Sequence, residues 1–129
     1  MKLKRFNQKT TASAPRGRAT IRFNKSGAIS ISGVAVDLTG INSGDYIEIV
    51  QDEQNPEDWY ITKSDMNVGF KLRPGGKSGN SMANSAATCR AFLKQFPRTG
   101  KTSTGCLIGT VPVTFEGVDY WPIITSSAH

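Results

Sequence analysis

The sequence has little of the chemistry on which most enzymes depend. It contains one histidine, His129, and two cysteines, Cys89 and Cys106. Nucleophilic catalysis by Ser–His or Cys–His pairs requires a positioned imidazole, whereas chain ends usually fray. Zinc sites require several Cys and His ligands at defined spacings, which these residues do not supply. We therefore expect no catalytic residues, no metal site, no cofactor and no small-molecule substrate.

Long apolar runs are also missing. The longest mostly apolar stretches, such as residues 47–50 and 107–113, have the length of strands and are too short to cross a membrane. The basic residues 1–5 are not followed by the apolar segment of a secretory signal. We expect a cytoplasmic protein without a membrane partner. In that compartment two cysteines are more often reduced core residues than a disulfide, although a bridge remains the alternative.

Acidic residues are absent from two long parts of the chain, which carries a net charge of +6. Residues 1–36 contain eight Lys and Arg and residues 66–115 contain seven, with no Asp or Glu in either part. Eight of the ten acidic residues lie between them, in residues 37–65. Such blocks predict separate faces of opposite potential. The alternative is that the folded blocks neutralise one another in salt bridges.

Hydrophobic alternation predicts an α+β fold that is mainly antiparallel β, with seven or eight short strands and one principal helix near residues 81–96. Residues 19–24 and 28–32 alternate around the turn 25–27, which is typical of a hairpin. Residues 67–73 predict a strand with Val68, Phe70 and Leu72 facing inward. The helix follows from apolar residues at helical spacing that end at Pro97.

The same pattern divides the chain into an arm and a domain. Residues 1–17 have no apolar periodicity and predict a flexible basic arm, either a phosphate-contacting segment or a solvated tail. Residues 18–129 predict a single α+β domain, with a hairpin half (18–64) and a strand–helix–hairpin half (65–129).

Residues 19–62 resemble the swapped-hairpin DNA-binding domain of the AbrB and SpoVT transition-state regulators. The resemblance lies in ATIRFNKSG, AISIS, GVAVDLTGI, the SGD turn, YIEIV and WYIT. In that family two chains interlock hairpins into a dimeric barrel, so the resemblance implies a homodimer that binds duplex DNA through basic residues. Ser32-Gly33 stands where the family usually has Ile-Pro. A helix beside a curved antiparallel sheet also resembles PC4/Pur-type single-strand-binding folds, which implies a single-stranded target.

The candidate binding residues are cations and tyrosines on predicted polar faces. Arg22, Lys71 and Arg73 each lie on the polar side of a strand and predict a basic stripe if those strands are neighbours, since cations at phosphates release counterions. Tyr46 and Tyr60 fall on outward positions and can stack on unpaired bases. The remaining candidates are cations that flank the stripe or share the exposed helix face: Arg16, Arg18, Lys25, Lys77, Arg90 and Lys94.

Two other motifs lack required parts. The run Gly75-Gly76-Lys77-Ser78 joins a predicted strand to a predicted helix, but Lys71 occupies the first glycine position of a P-loop. The acidic cluster in residues 52–58 lacks the ordered oxygen spacing and the turn glycine of a calcium loop. We therefore interpret the first as a connector and the second as a solvated acidic face.

These observations favour a non-enzymatic nucleic-acid-binding protein, with DNA, duplex or single-stranded, as its partner and with a homodimer or higher homo-oligomer as its state. The alternative is a structural or assembly protein of a phage or mobile element, in which oppositely charged faces join copies. The two hypotheses differ in one feature. If the two basic blocks share a face, polyanion binding is favoured, and if each meets the acidic block of a neighbouring copy, assembly is favoured.

Overall fold

The computed structural model describes residues 18–75, 79–97 and 102–129. The predicted arm, with Arg16, and also Lys77 lie outside the described residues. Within them, the strands are β1 Thr20–Asn24, β2 Ala28–Ile31, β3 Tyr46–Gln51, β4 Trp59–Ser64, β5 Phe70–Lys71, β6 Arg73–Pro74, β7 Ser81–Asn84, β8 Ser103–Ile108, β9 Val113–Phe115 and β10 Val118–Ile124. The helices are α1 Gly33–Thr39, α2 Ala86–Gln95 and a 3₁₀ turn, Thr125–Ser127.

The predicted first hairpin is confirmed. β1 and β2 pair antiparallel with Ile21 opposite Ile31 and Phe23 opposite Ile29, and all four side chains are buried. Gly27 closes the turn with φ +100°, a left-handed conformation that glycine adopts at little cost. The alternation in this segment therefore translates directly into one buried and one outward face.

The strands form a single antiparallel sheet that nearly closes into a barrel. Their order is β5-β3-β4-β10-β8-β1-β2-β7-β6, with β9 paired only to β10. The two ends of this order, β5 and β6, are separated in the chain by Leu72 alone. Leu72 donates its backbone N–H to the carbonyl of Asp45 (2.8 Å), and its own carbonyl accepts from Gly44 (2.8 Å). Closure leaves the Leu72 side chain fully buried in the core.

The two helices cover the opposite ends of this barrel. Helix α2 begins where Ser85 bonds back to the β1–β2 turn and ends beside the β3–β4 loop, where Gln95 accepts from Trp59 Nε1 at 3.2 Å. Its Phe92 stacks on Phe23 at a ring-centroid distance of 4.0 Å and meets Trp59 edge-on at 5.1 Å. Helix α1 follows β2 at the other end and buries Ala35.

The number of strands and the start of the helix differ from the prediction. The described residues contain ten strands rather than seven or eight, because several are only two or three residues long. Residues 81–84, predicted as helix, form β7 and pair with β2. Ser81 and Ala83 are buried there, so strand pairing outweighs local helical spacing. Ser85 then caps α2 by accepting from the N–H of Thr88.

The strand predicted over residues 67–73 is confirmed at residues 70, 71 and 73, which lie in β5 and β6, and is wrong for residues 67–69. The Asp65 carbonyl accepts from Gly69 N–H at 2.9 Å, and the Asp65 carboxylate accepts from Asn67 N–H at 2.9 Å, which holds residues 65–69 in a turn. Val68, predicted inward, is 62% exposed, whereas Leu72 is fully buried. The prediction failed because an aspartate can organise a turn inside an alternating pattern.

Leu72→Ala tests the importance of barrel closure. We expect it to lower the free energy of unfolding by about 2–5 kcal/mol, because truncation of a fully buried leucine leaves a cavity. The matched control is Val68→Ala, which we expect to change stability by less than about 0.5 kcal/mol because its side chain is exposed. Urea unfolding followed by tryptophan fluorescence measures both, and equal effects would contradict the assigned inward and outward positions.

Candidate nucleic-acid interface

The sheet order brings the two basic blocks of the sequence together. Five neighbouring strands, β8-β1-β2-β7-β6, and helix α2 contain no acidic residue. The basic segments 1–36 and 66–115 both contribute strands to this part of the barrel. The acidic residues lie in the other strands, in α1 and in the connecting loops. We call the five strands and α2 the basic half.

Arg22 and Arg73 lie on one outward row that crosses the basic half. Arg22 pairs with Ser30, Ser30 with Met82, and Met82 with Arg73. The two arginines are three strand spacings apart, about 14 Å for ordinary sheet geometry. The predicted neighbourhood of Arg22 and Arg73 is therefore present, with polar and flexible side chains between them.

Arg22 is held by its neighbours on β8. Its Nη1 donates to Ser103 Oγ at 2.9 Å, and its guanidinium covers Gly105, where an added Cβ would lie 2.6 Å from Nη2. His129 also lies here, because its backbone exchanges two hydrogen bonds of 2.9 Å with Gly105. The expected fraying of His129 is therefore wrong, because the backbone of β8 is free to pair at this point. Arg22 thus presents a positioned, partly exposed cation.

Arg73 at the far end of the row is exposed and contacts side chains of β7. Its Nη2 lies 3.7 Å from the sulfur of Met82. With its amide oxygen turned toward the guanidinium, Asn84 accepts from Arg73 at 2.8 and 3.1 Å. These contacts leave the charge of Arg73 unneutralised.

A second cluster of cations lines a groove beside helix α2, with a volume of about 500 Å³. We call it the α2 groove, and its lining residues are Lys25, Ala86, Arg90, Leu93, Lys94, Pro97 and Thr102. The predicted pairing of Arg90 and Lys94 on the exposed helix face is present, and the β1–β2 turn adds Lys25. Lys25 follows Arg22 by three residues, about 10 Å along an extended strand. The groove and the arginine row therefore adjoin each other.

The other predicted cations are less well placed. Lys71 projects outward opposite Tyr46, two residues from Arg73, at the point where the barrel closes and β5 pairs with β3. Arg18 is exposed at the opposite end of β1 from Lys25 and borders an apolar cleft with Val34 and Leu38. Neither lies in the α2 groove.

Tyr60 lies away from the predicted cations. Its ring meets Tyr120 edge-on at 6.4 Å. Burial, followed by the charges of Asp58 and Asp52, raises the pKa of the Tyr60 hydroxyl. The negative charges of Asp58 and Asp52 near this hydroxyl also repel a phosphate, so Tyr60 is poorly placed to stack on a base whose phosphate must lie nearby.

Salt bridges between the charge blocks do not neutralise the basic half. Within residues 18–75, 79–97 and 102–129, the ion pair present is Lys63 with Asp45, at 3.4 Å. Both residues belong to the acidic block of the sequence. The arginines and lysines of the row and the groove therefore retain their charge for an external anion.

Neither a metal-binding cluster nor a membrane-spanning helix occurs in residues 18–75, 79–97 and 102–129. There, no three His, Cys, Asp or Glu side chains form a group that would hold a metal ion. None of the described helices is long and apolar enough to cross a membrane.

Sequence reasoning missed the apolar lining of the α2 groove and the contacts of Arg22. Ala86, Arg90, Leu93 and Pro97 recur at spacings of three and four, a helical signal that identifies one face but not what lies opposite it. Ser103 and Gly105 carry no local signal, because their role depends on pairing between β8 and β1, about 80 residues earlier in the chain.

Both cysteines are free and buried. Burial raises the pKa of the Cys106 thiol to about 11, against a smaller opposing effect of the Arg22 guanidinium. Burial also raises the pKa of Cys89. Because the thiolate is the reactive form, both side chains are unreactive near neutral pH.

Comparison with known proteins yields no relatives: no family model, no curated protein and no solved structure matches the chain. Residues 20–64 do show the order strand, strand, helix, strand, strand. The resemblances to the AbrB and PC4/Pur types remain predictions. The barrel core is completed by strands of one chain, and dimerisation also remains a prediction.

The buried thiol of Cys106 predicts an alkaline loss of stability. Its pKa in the folded protein, about 11, lies above its ordinary value of 9.0. The raised pKa gives the folded state an advantage that is present in full below pH 9.0. This contribution to the free energy of unfolding is lost as the pH rises toward 11, because the unfolded chain releases the thiol proton first. Urea unfolding between pH 8 and pH 11 measures the change. The free energy of unfolding of Cys106→Ala should fall less steeply with pH than that of wild type. An equally steep fall would contradict the attribution of this loss to the Cys106 thiol.

Proposed function

We propose that this protein binds nucleic acid, without catalysis, through the arginine row and the α2 groove of its basic half. The observation that carries the proposal is that both basic sequence blocks lie side by side in the sheet, free of acidic residues. A surface of this kind concentrates phosphates and gains free energy from counterion release.

The arrangement of the cations supports a polymeric anion. Arg22 and Arg73 lie about 14 Å apart across the strands, and the groove cations continue from Arg22 around the end of the barrel. A single small anion would occupy only one of these positions, whereas a nucleic-acid backbone can follow all of them. The unpaired state of these cations means that little intramolecular attraction has to be given up on binding.

Arg22→Gln with Arg73→Gln tests the proposal. We expect wild-type protein to bind labelled single-stranded and duplex DNA at about 50 mM salt and to lose affinity steeply toward about 300 mM. The double variant should bind more weakly, and its slope of log K against log salt should shrink by up to about two, at roughly 0.7–0.9 per lost phosphate contact. Fluorescence anisotropy titrations measure both quantities.

The matched control is Lys63→Gln, which removes a cation from β4, outside the basic half. This variant should keep the affinity for DNA and the slope of log K against log salt close to those of wild type. Absence of wild-type binding at the lowest salt, or an equal loss in the Lys63 variant, would contradict the proposal. Thermal unfolding of each variant separates lost binding from lost folding.

A second candidate function, self-assembly, is favoured by the β9–β10 hairpin. Its exposed side chains include Val113 and Phe115, 50% and 62% accessible, and Glu116 and Asp119 lie beside them. β9 pairs on one side only, and unpaired edges with apolar side chains are sites where chains associate. The basic half of a second copy offers the complementary charge.

Phe115→Ser tests this candidate. If the hairpin joins copies, the solution mass of the wild-type protein should exceed the 13.9 kDa of one chain. The mass of the variant should be lower, and light scattering during gel filtration measures both. Met66→Ser, which changes another highly exposed apolar residue, should leave the mass unchanged. A wild-type protein that remains a monomer at high concentration would contradict assembly.

A further inference from the structure

The α2 groove combines features that a phosphate-binding surface alone does not need. Its lining contains three cations, Lys25, Arg90 and Lys94, which we call the rim. It also contains three apolar residues, Ala86, Leu93 and Pro97, which we call the floor. Salt-dependent attraction to a nucleic-acid backbone requires only the cations. The apolar floor is therefore complementary to a ligand that also has an apolar surface.

The two walls of the groove are fixed by separate elements of the fold. Helix α2 presents Ala86, Arg90 and Leu93 on one face, since residues three and four apart on a helix are neighbours. The opposite wall is the β1–β2 turn, where Lys25 N–H donates to the Thr102 carbonyl at 2.7 Å. Because α2 is anchored at its start to this turn through Ser85 and Gly27, at 2.8 Å, the two walls hold their separation.

We propose that the α2 groove receives an unpaired base of a single-stranded nucleic acid, with the adjoining phosphates on Lys25, Arg90 and Lys94. This inference rests on the proposed function and adds the form of its target. A nucleotide has a flat face of low polarity joined to an anionic phosphate, which matches an apolar floor beneath a cationic rim. Thr102 adds polar atoms at the edge of the groove for the donors and acceptors of a base.

A duplex would leave the floor of the groove empty. Paired bases are stacked inside the helix, and their removal from the stack costs a few kcal/mol. A duplex therefore contacts the arginine row and the groove cations through phosphates alone. A single strand makes the same phosphate contacts and also inserts a base, so it is the preferred target.

Ala86→Leu fills the floor without a change of charge and tests the inference. The matched control is Ala87→Leu, at the next position of α2, where the side chain is also exposed but does not line the groove. Each protein is titrated with three labelled probes at one salt concentration: a single strand of thymidines, an abasic strand with the same number of phosphates, and a duplex of equal length.

We expect wild-type protein to bind the thymidine strand about five- to tenfold more tightly than the abasic strand, because one face of the base is removed from water against apolar side chains. Ala86→Leu should reduce this ratio toward one while leaving affinity for the abasic strand and the duplex unchanged. Ala87→Leu should behave like wild type.

Three results would overturn the inference. Equal binding of the thymidine and abasic strands by wild type would show that no base is contacted, while binding to nucleic acid would stand. Equal weakening of all three probes by Ala86→Leu would assign the groove a purely electrostatic or structural role. Absence of binding to any probe would reject the proposed function together with this inference.

Discussion

Closure of the sheet at Leu72 is the constraint on which the remaining structure depends. Two-residue strands on either side of this residue pair with opposite ends of the sheet, β5 with β3 and β6 with β7. The backbone hydrogen bonds of Leu72 to Asp45 and Gly44 continue the β5–β3 pairing up to the residue before β6. A sheet of this size would otherwise expose two edges, with unpaired N–H and C=O groups along each. Closure removes most of that exposure and encloses a single core.

The charge distribution follows from the order of strands that closure imposes. β1 and β2 come from the first basic block, and β6, β7 and β8 come from the second. They become neighbours because β1 pairs with β2 on one side and with β8 on the other. The acidic block supplies β3 and β4, which lie on the opposite side of the barrel. Segregation along the chain thereby becomes segregation in space, and within the described part of the chain no ion pair involves the cations of the basic half.

Helix α2 links the core to the candidate site. One face packs Phe92 between Phe23 and Trp59, which fixes the helix across the barrel end. Its opposite face presents Arg90 and Lys94 to solvent beside Lys25. The buried aromatic contacts thus hold α2 against the end of the barrel, and the hydrogen bond from Ser85 to Gly27 sets its distance from the β1–β2 turn. A groove supported by packed aromatic rings is preorganised, which reduces the ordering cost of binding.

The sequence by itself determined the local features whose signals are contained in a few neighbouring residues. Alternation around Lys25-Ser26-Gly27 defined the first hairpin and its buried face, and helical spacing identified the shared face of Arg90 and Lys94. Only the tertiary structure decided which residues of distant segments meet. Strand pairing turned residues 81–84 from predicted helix into β7, and a turn around Asp65 exposed Val68. Pairing of β1 with β8 placed Ser103 and Gly105 beneath Arg22. The physical reason is that pairing between distant strands depends on the free energy of the whole barrel, to which local propensity is a minor contribution.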